Sequence, residues 1–210
     1  MAKKIILVGH TKGGVSKSTL ATNLAVYFAR LGRTLLIDTD KQVTAATWAS
    51  WRAEQNCSCN PATIILFGDQ VYKQGMNFAK EYDFIVIDSG GKDNAALRYA
   101  LLLADVLLIP TTANSFETAA LDDINIIING AKINNEKLVT KVVLARVDRS
   151  RKLVPKHFIE FLQEHDLELC KTMIPQLEAF PRAQEKGLAV FETKDSDKAA
   201  NAIISLCQEV

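Results

Sequence analysis

The 210 residues are expected to form one α/β domain, 1–210, built on a mostly parallel twisted sheet with helices on both faces. Three observations lead there. Short apolar runs alternate with longer amphipathic stretches, which is the βα pattern of a parallel sheet. The runs are apolar at successive positions, so both faces of each strand are covered. The first run feeds a glycine-rich turn that opens a helix, a junction that places ligands at the carboxyl ends of the strands.

Strands are expected near 4–9, 34–38, 62–66, 83–88, 105–109, 141–147 and 168–173, with helices in the gaps, among them 44–55 and 95–104. The stretch from Glu117 to Gly130 has helical spacing and is assigned to packing. No repeat, low-complexity tract or Pro/Gly linker divides the chain. The length and apolar share suit a single continuous core.

The net charge of +1 provides no global field toward nucleic acid or membrane, so any basic surface must be local. No apolar stretch is long enough to span a bilayer, and the N-terminus enters its strand without a charged and apolar leader. A cytoplasmic protein is expected. Cys57 and Cys59 are one residue apart, while Cys170 and Cys207 stand alone. That spacing lacks the usual zinc or redox patterns and favours reduced, structural thiols.

After Ile5-Ile6-Leu7-Val8-Gly9 comes Lys12-Gly13-Gly14-Val15-Ser16-Lys17-Ser18-Thr19, then the helical Leu20-Ala21-Thr22-Asn23-Leu24. Backbone N–H groups in such a turn converge on an anion, and the helix N-terminus adds partial positive charge. Lys17 and Ser18 can reach phosphate oxygens and Mg²⁺. The plain phosphate-loop pattern G-x-x-x-x-G-K-[ST] fails, because Thr11 stands at its first position.

The segment resembles instead the deviant Walker A motif, K-G-G-x-G-K-[ST], of the ParA/MinD family of ATPases. The resemblance implies a deviant Walker A P-loop NTPase fold, binding ATP and Mg²⁺ through Gly13 to Thr19. Lys12 maps onto the lysine that crosses a dimer interface to the partner's nucleotide, and Lys17 onto the phosphate-loop lysine. Ser16 departs from the pattern, standing where a glycine precedes that lysine. Serine keeps the N–H, yet its Cβ penalises positive φ. A working site is expected; a non-hydrolysing DNA-binding scaffold is the alternative if Ser16 disables it.

Thr34-Leu35-Leu36-Ile37 ends in Asp38-Thr39-Asp40-Lys41-Gln42, which resembles the family's D-x-D-P-Q segment. By that match Asp38 lies on the metal side and Asp40 orients the attacking water. Lys41 replaces the usual proline, so a less rigid turn is expected. Phe84-Ile85-Val86-Ile87-Asp88 resembles a Walker B strand whose aspartate holds Mg²⁺ through water. Ser18, Asp38 and Asp88 are thus the metal-side candidates, and Lys12, Lys17 and Asp40 the catalytic ones. The following Ser89-Gly90-Gly91-Lys92-Asp93-Asn94 is either a sensor of nucleotide state or a plain connector.

The family's cycle implies a homodimer formed around ATP, slow ATPase turnover raised by a ParB-like, centromere-binding adaptor, and segregation of a plasmid or chromosome. Between 141 and 156, Lys141, Arg146, Arg149, Arg151, Lys152 and Lys156 are opposed only by Asp148. A solvated face is one reading; with the resemblance, non-specific nucleoid DNA is the other, bound through Arg149, Arg151, Lys152 and Lys156. Arg182 to Glu192 resembles the family's C-terminal segment more loosely. The chain opens at the phosphate-loop strand, so the separate N-terminal DNA-binding domain of larger relatives is expected to be absent.

A MinD-like membrane ATPase would end in a basic amphipathic helix. Here Ala199, Ala200, Ile203, Ile204 and Cys207 form one stripe with few bases opposite, which suits packing and no membrane contact. A carboxylate-phosphorylating synthetase or an iron–sulfur reductase on the same scaffold lacks its markers, since the cysteines do not follow the expected strands. Trp48 and Trp51, spaced i,i+3, point to packing or a partner surface.

Overall fold

The computed structural model describes residues 1–91, 95–112, 117–148 and 154–210. Seven strands form one sheet: β1 (Lys4–Val8), β2 (Thr34–Asp38), β3 (Ala62–Ile65), β4 (Phe84–Asp88), β5 (Val106–Thr111), β6 (Val139–Leu144) and β7 (Glu168–Leu169). Their order is β3-β2-β4-β1-β5-β6-β7, and every pairing is parallel. Eight α-helices accompany them among the described residues: α1 (Lys17–Ala29), α2 (Thr44–Ala53), α3 (Gln70–Phe78), α4 (Ala95–Leu103), α5 (Glu117–Lys132), α6 (Lys156–Glu164), α7 (Ala179–Glu185) and α8 (Asp197–Glu209). A 3-10 turn, Val190–Glu192, follows α7.

Alternation along each strand divides the interior into two layers. Ile5, Leu7, Leu35, Ile37, Ile85, Ile87 and Leu107 join one layer, under α3 to α6. Ile6, Val8, Leu36, Val86 and Leu108 join the other, under α1, α2, α7 and α8. Because both sets are apolar, the central strands read as continuous hydrophobic runs. Three expected strands differ in extent by two residues or more, and β6 covers Val139–Leu144 against an expected 141–147. β5 runs two residues further, through Pro110, while the run near 168–173 pairs only at Glu168–Leu169 and resumes as a single Val147 to Pro175 bridge. Lys171 and Thr172 leave the ladder because their N–H groups donate to Glu209 at the end of α8, at 2.7 and 2.9 Å.

Helix α1 is buried over most of its circumference, so its polar side chains need internal partners. Thr22 Oγ1 donates to the Ser18 carbonyl at 2.9 Å, and Asn23 Nδ2 to that of Thr19 at 2.7 Å. Asn23 Oδ1 accepts the Val190 N–H at 2.8 Å, which ties the helix to the 3-10 turn.

At the N-terminus of α8, the Ser196 hydroxyl accepts the Ala199 N–H at 3.3 Å, a capping bond of the ordinary kind. Ala199, Ile203, Leu206 and Cys207 are buried in the second layer. Burying each larger side chain of this stripe contributes about 1.5–3 kcal/mol. The apolar face of α8 is therefore used within the fold, as its spacing implies. Among the described residues no helix is long and apolar enough to cross a membrane.

The two tryptophans of α2 differ in burial, and only Trp48 shows the expected packing. Trp48 is fully buried and its Nε1 donates to the Leu188 carbonyl at 3.4 Å, while Trp51 is 41% exposed. Beside them Arg52 is buried and spans three partners: the Gly187 carbonyl, the Cys59 carbonyl and both oxygens of Glu192, at 2.6–3.1 Å. It fastens α2 to the segment after α7.

Candidate nucleotide site

Parallel register determines which residues share the site. Val8 pairs with Asp88, and Asp38 pairs with Asp88, so the carboxyl ends of β1, β4 and β2 lie side by side. The strand order reverses at β1, between β4 and β5. The turn from Gly9 to Ser16 leaves the sheet there, at the switch point where α/β sheets take ligands.

Gly14 and Ser16 both have φ 72°, on either side of buried Val15. A Cβ added at Gly13 or Gly14 would meet no atom within 4 Å, so the space over the turn is open to a ligand. The first N–H groups of α1 lack carbonyl partners four residues back and face this space. His10 is buried, and its Nδ1 accepts the Lys12 N–H at 3.1 Å. Lys17 Nζ donates to the Lys12 carbonyl at 2.7 Å. Burial lowers the Lys17 pKa, against the opposing pull of Asp88 and Asp40.

Asp88 is fully buried, and neither carboxylate oxygen has a hydrogen bond of full geometry among the described residues. Burial pushes its pKa up to about 8; the Ser18 hydroxyl and Lys17 draw it down, while Asp38 and Asp40 add to the rise. A buried carboxylate with unused lone pairs beside a hydroxyl is a donor set suited to a hard divalent cation. The residues present thus fit Mg²⁺. Among the described residues no three His, Cys, Asp or Glu side chains cluster as a complete all-protein metal cage, so phosphate and water would supply the remaining ligands.

Asp38 is placed differently. Its Oδ1 accepts the Asp40 N–H at 3.0 Å and its Oδ2 the Ala46 N–H at 2.9 Å. Desolvation raises its pKa, and these backbone bonds work against the rise. The side chain therefore organises the turn from β2 into α2. Asp40 accepts the Gln42 N–H at 3.0 Å and lines the cleft. Val43 closes this turn with φ 48°, an uncommon conformation for a β-branched residue.

The cleft over these residues has a volume of about 1510 Å³. One wall is the phosphate loop with Asp40 and Lys41; another runs through Pro175, Leu177, Phe180 and Gln184. Several residues of this cleft have no local motif. Arg146 Nη1 donates to the Gly14 carbonyl at 3.2 Å, which places it at the phosphate loop. Thr19 Oγ1 donates to Gln184 Oε1 at 3.0 Å, so this residue in the first turn of α1 holds α7. Phe67 and Gly68 reach the rim from the end of β3.

Lys12, Lys17, Asp40 and Asp88 are thereby brought to one sheet edge with Gly13 to Thr19. Lys12 is exposed. Of the DNA-contact candidates, Arg149, Arg151 and Lys152 lie outside the described residues, as do Lys92, Asp93 and Asn94 of the turn after β4. Lys156 is exposed on the first turn of α6 and pairs with Glu160 at 3.1 Å.

Comparison with known proteins agrees with this geometry. Residues 6–190 match the model of the CobQ/CobB/MinD/ParA nucleotide binding domain. Maintenance of carboxysome distribution protein A of Halothiobacillus neapolitanus is 24% identical over 98% of this chain and 95% of its own. The chromosome-partitioning ATPase Soj of Thermus thermophilus is 26% identical over 98% of this chain and 94% of its own. The septum site-determining protein MinD of Pyrococcus horikoshii, solved with Mg-ADP, superposes with a TM-score of 0.71 at 18% identity, covering 98% and 95% of the two chains. That structural likeness carries the fold.

Proposed function

The chain belongs to the CobQ/CobB/MinD/ParA nucleotide-binding domain family, and we propose that within it the protein is an ATP-driven partition ATPase that segregates a plasmid or chromosome. The observation that carries this reading is the meeting, at one sheet edge, of a phosphate loop bearing a second lysine with Asp40 and the buried Asp88. Two relatives named for chromosome partitioning and carboxysome distribution, matched along nearly their whole length, support the same direction.

In the proposed cycle the loop N–H groups and Lys17 bind the ATP phosphates. Ser18 and Asp88 hold Mg²⁺, with Asp38 fixing the turn that carries Asp40. Mg²⁺, when bound, offsets charge on the phosphate oxygens. Asp40 positions a water for in-line attack; a bond forms from the water oxygen to the terminal phosphorus, and the bond to ADP breaks. Lys12 completes the site of a second copy, so ATP holds a homodimer together and hydrolysis releases it. The dimer binds nucleoid DNA non-specifically in the cytoplasm through Arg149, Arg151, Lys152 and Lys156. A ParB-like, centromere-binding adaptor raises the slow turnover.

Light scattering with Mg-ATP tests this reading. The wild type is expected to dimerise, and Lys12→Ala to bind ATP as a monomer without dimerising. A wild type that remains monomeric with every adenine nucleotide would refute the cycle. Dimerisation by Lys12→Ala would refute the role given to that lysine.

A further inference from the structure

Ser16 occupies the N-cap position of α1, where a serine ordinarily turns its hydroxyl back to a first-turn N–H. It makes no such bond. Its backbone lies in the left-handed region, φ 72° and ψ 23°, whereas a capping serine has extended backbone. The Ser16 carbonyl still accepts the Leu20 N–H at 3.0 Å, so the helix begins normally although the side chain plays no part in its start. Ser16 lines the nucleotide cleft, and no capping bond to the first turn of α1 engages its hydroxyl.

The left-handed conformation carries a steric cost for a non-glycine residue. A glycine would remove that cost, as it does for Gly14 one residue beyond Val15 at the same φ. What serine has and glycine lacks is a hydroxyl donor at the mouth of an anion site. The α1 N–H groups around it remain available to the same anion because the side chain does not cap them.

We propose that the Ser16 hydroxyl is a direct phosphate ligand, donating a hydrogen bond to a polyphosphate oxygen of the bound nucleotide where other phosphate loops offer only a backbone N–H. The assignment rests on the ATP-binding reading above. It makes Ser16 a specificity residue for the polyphosphate. The strain is present with and without nucleotide, because the conformation belongs to the loop itself. It therefore cancels from the affinity and appears in the stability of the nucleotide-free protein.

Two variants separate the hydroxyl from the strain. Ser16→Ala keeps the Cβ and removes the donor; Ser16→Gly removes both. Calorimetric titration of wild type and both variants with Mg-ATP, and with magnesium tripolyphosphate as a probe without the base, is the test. Both variants are expected to bind each ligand about tenfold more weakly, the loss of one hydrogen bond to a charged oxygen. Thermal melting without nucleotide controls for folding. Equal affinity of Ser16→Ala and wild type, or tighter binding by Ser16→Gly, would overturn the assignment while leaving ATP binding in place. Absence of ATP binding by all three folded proteins would overturn the functional reading itself.

Discussion

A Cβ built on Gly91 would stand 2.9 Å from the Gly13 Cα and 3.1 Å from its nitrogen. The segment after β4 thus meets the phosphate loop backbone to backbone, and no flexible side chain lies between them to yield. Gly91→Ala must push the loop away. Displacement of a phosphate cradle is expected to weaken Mg-ATP binding about tenfold or more, with the fold retained. Calorimetry beside a thermal melt checks this; wild-type affinity would show that the two turns move independently.

Asp88 carries a pH signature. Its folded pKa of about 8 lies above an unfolded value of about 3.9. Between those values the folded chain holds a proton that the unfolded chain has released, so stability falls as pH rises through this window. Above the folded pKa the loss is complete. In EDTA, the wild type should lose melting temperature from pH 5 to 8.5, and Asp88→Asn should flatten that decline. Mg²⁺ should stabilise the wild type at pH 8.5 and leave Asp88→Asn unaffected. A variant as pH-sensitive as the wild type would assign the effect elsewhere.

Arg52 has a 3% exposed side chain, and its Glu192 partner is 14% exposed. Removing one member of a buried pair leaves the other uncompensated, which costs about 3–5 kcal/mol. Arg52→Ala should therefore lower the urea midpoint strongly, and Arg52→Ala/Glu192→Leu should recover part of the loss. A small shift for the single variant would mean that water reaches Glu192 readily.

Asp40→Ala tests the water-positioning role. ATP binding and dimerisation are expected to persist while turnover falls about a hundredfold. Phosphate release and light scattering on the same sample check both. Turnover at the wild-type rate would assign the role to another group.

The triple variant Arg149→Ala/Arg151→Ala/Lys152→Ala probes DNA. Loss of three phosphate contacts should weaken ATP-dependent binding to duplexes of any sequence and reduce the salt slope by about three. An unchanged slope would place the DNA surface elsewhere.

The strands and the phosphate site were readable because their signals are local. Ile5 to Val8 is an unbroken apolar run that feeds the phosphate loop, Phe84 to Ile87 is one that ends at Asp88, and Lys17 and Ser18 sit at a fixed offset from the turn. Ser16 was legible too: its Cβ marked a position that prefers glycine, and its φ is indeed positive. Arg146 and Gln184 were not legible as site residues, because they act 132 and 165 residues from their partners. The buried Arg52 to Glu192 pair spans 140 residues. Charge patterning grouped Arg146 with its basic neighbours, since sequence cannot tell which cation reaches the phosphate loop. Asp38 matched a metal-side position, yet its two backbone bonds depend on how α2 folds back over β2.

The two margins of the sheet differ in their exposure to foreign chains. β7 offers a template of two residues, too short to recruit another strand, whereas β3 ends near Ile65 and Phe67, which are 44% and 47% exposed. Concentrated samples should therefore begin to aggregate at β3. A lysine at position 65, by Ile65→Lys, would act as a gatekeeper there and extend the shelf life of the protein without touching the two buried layers.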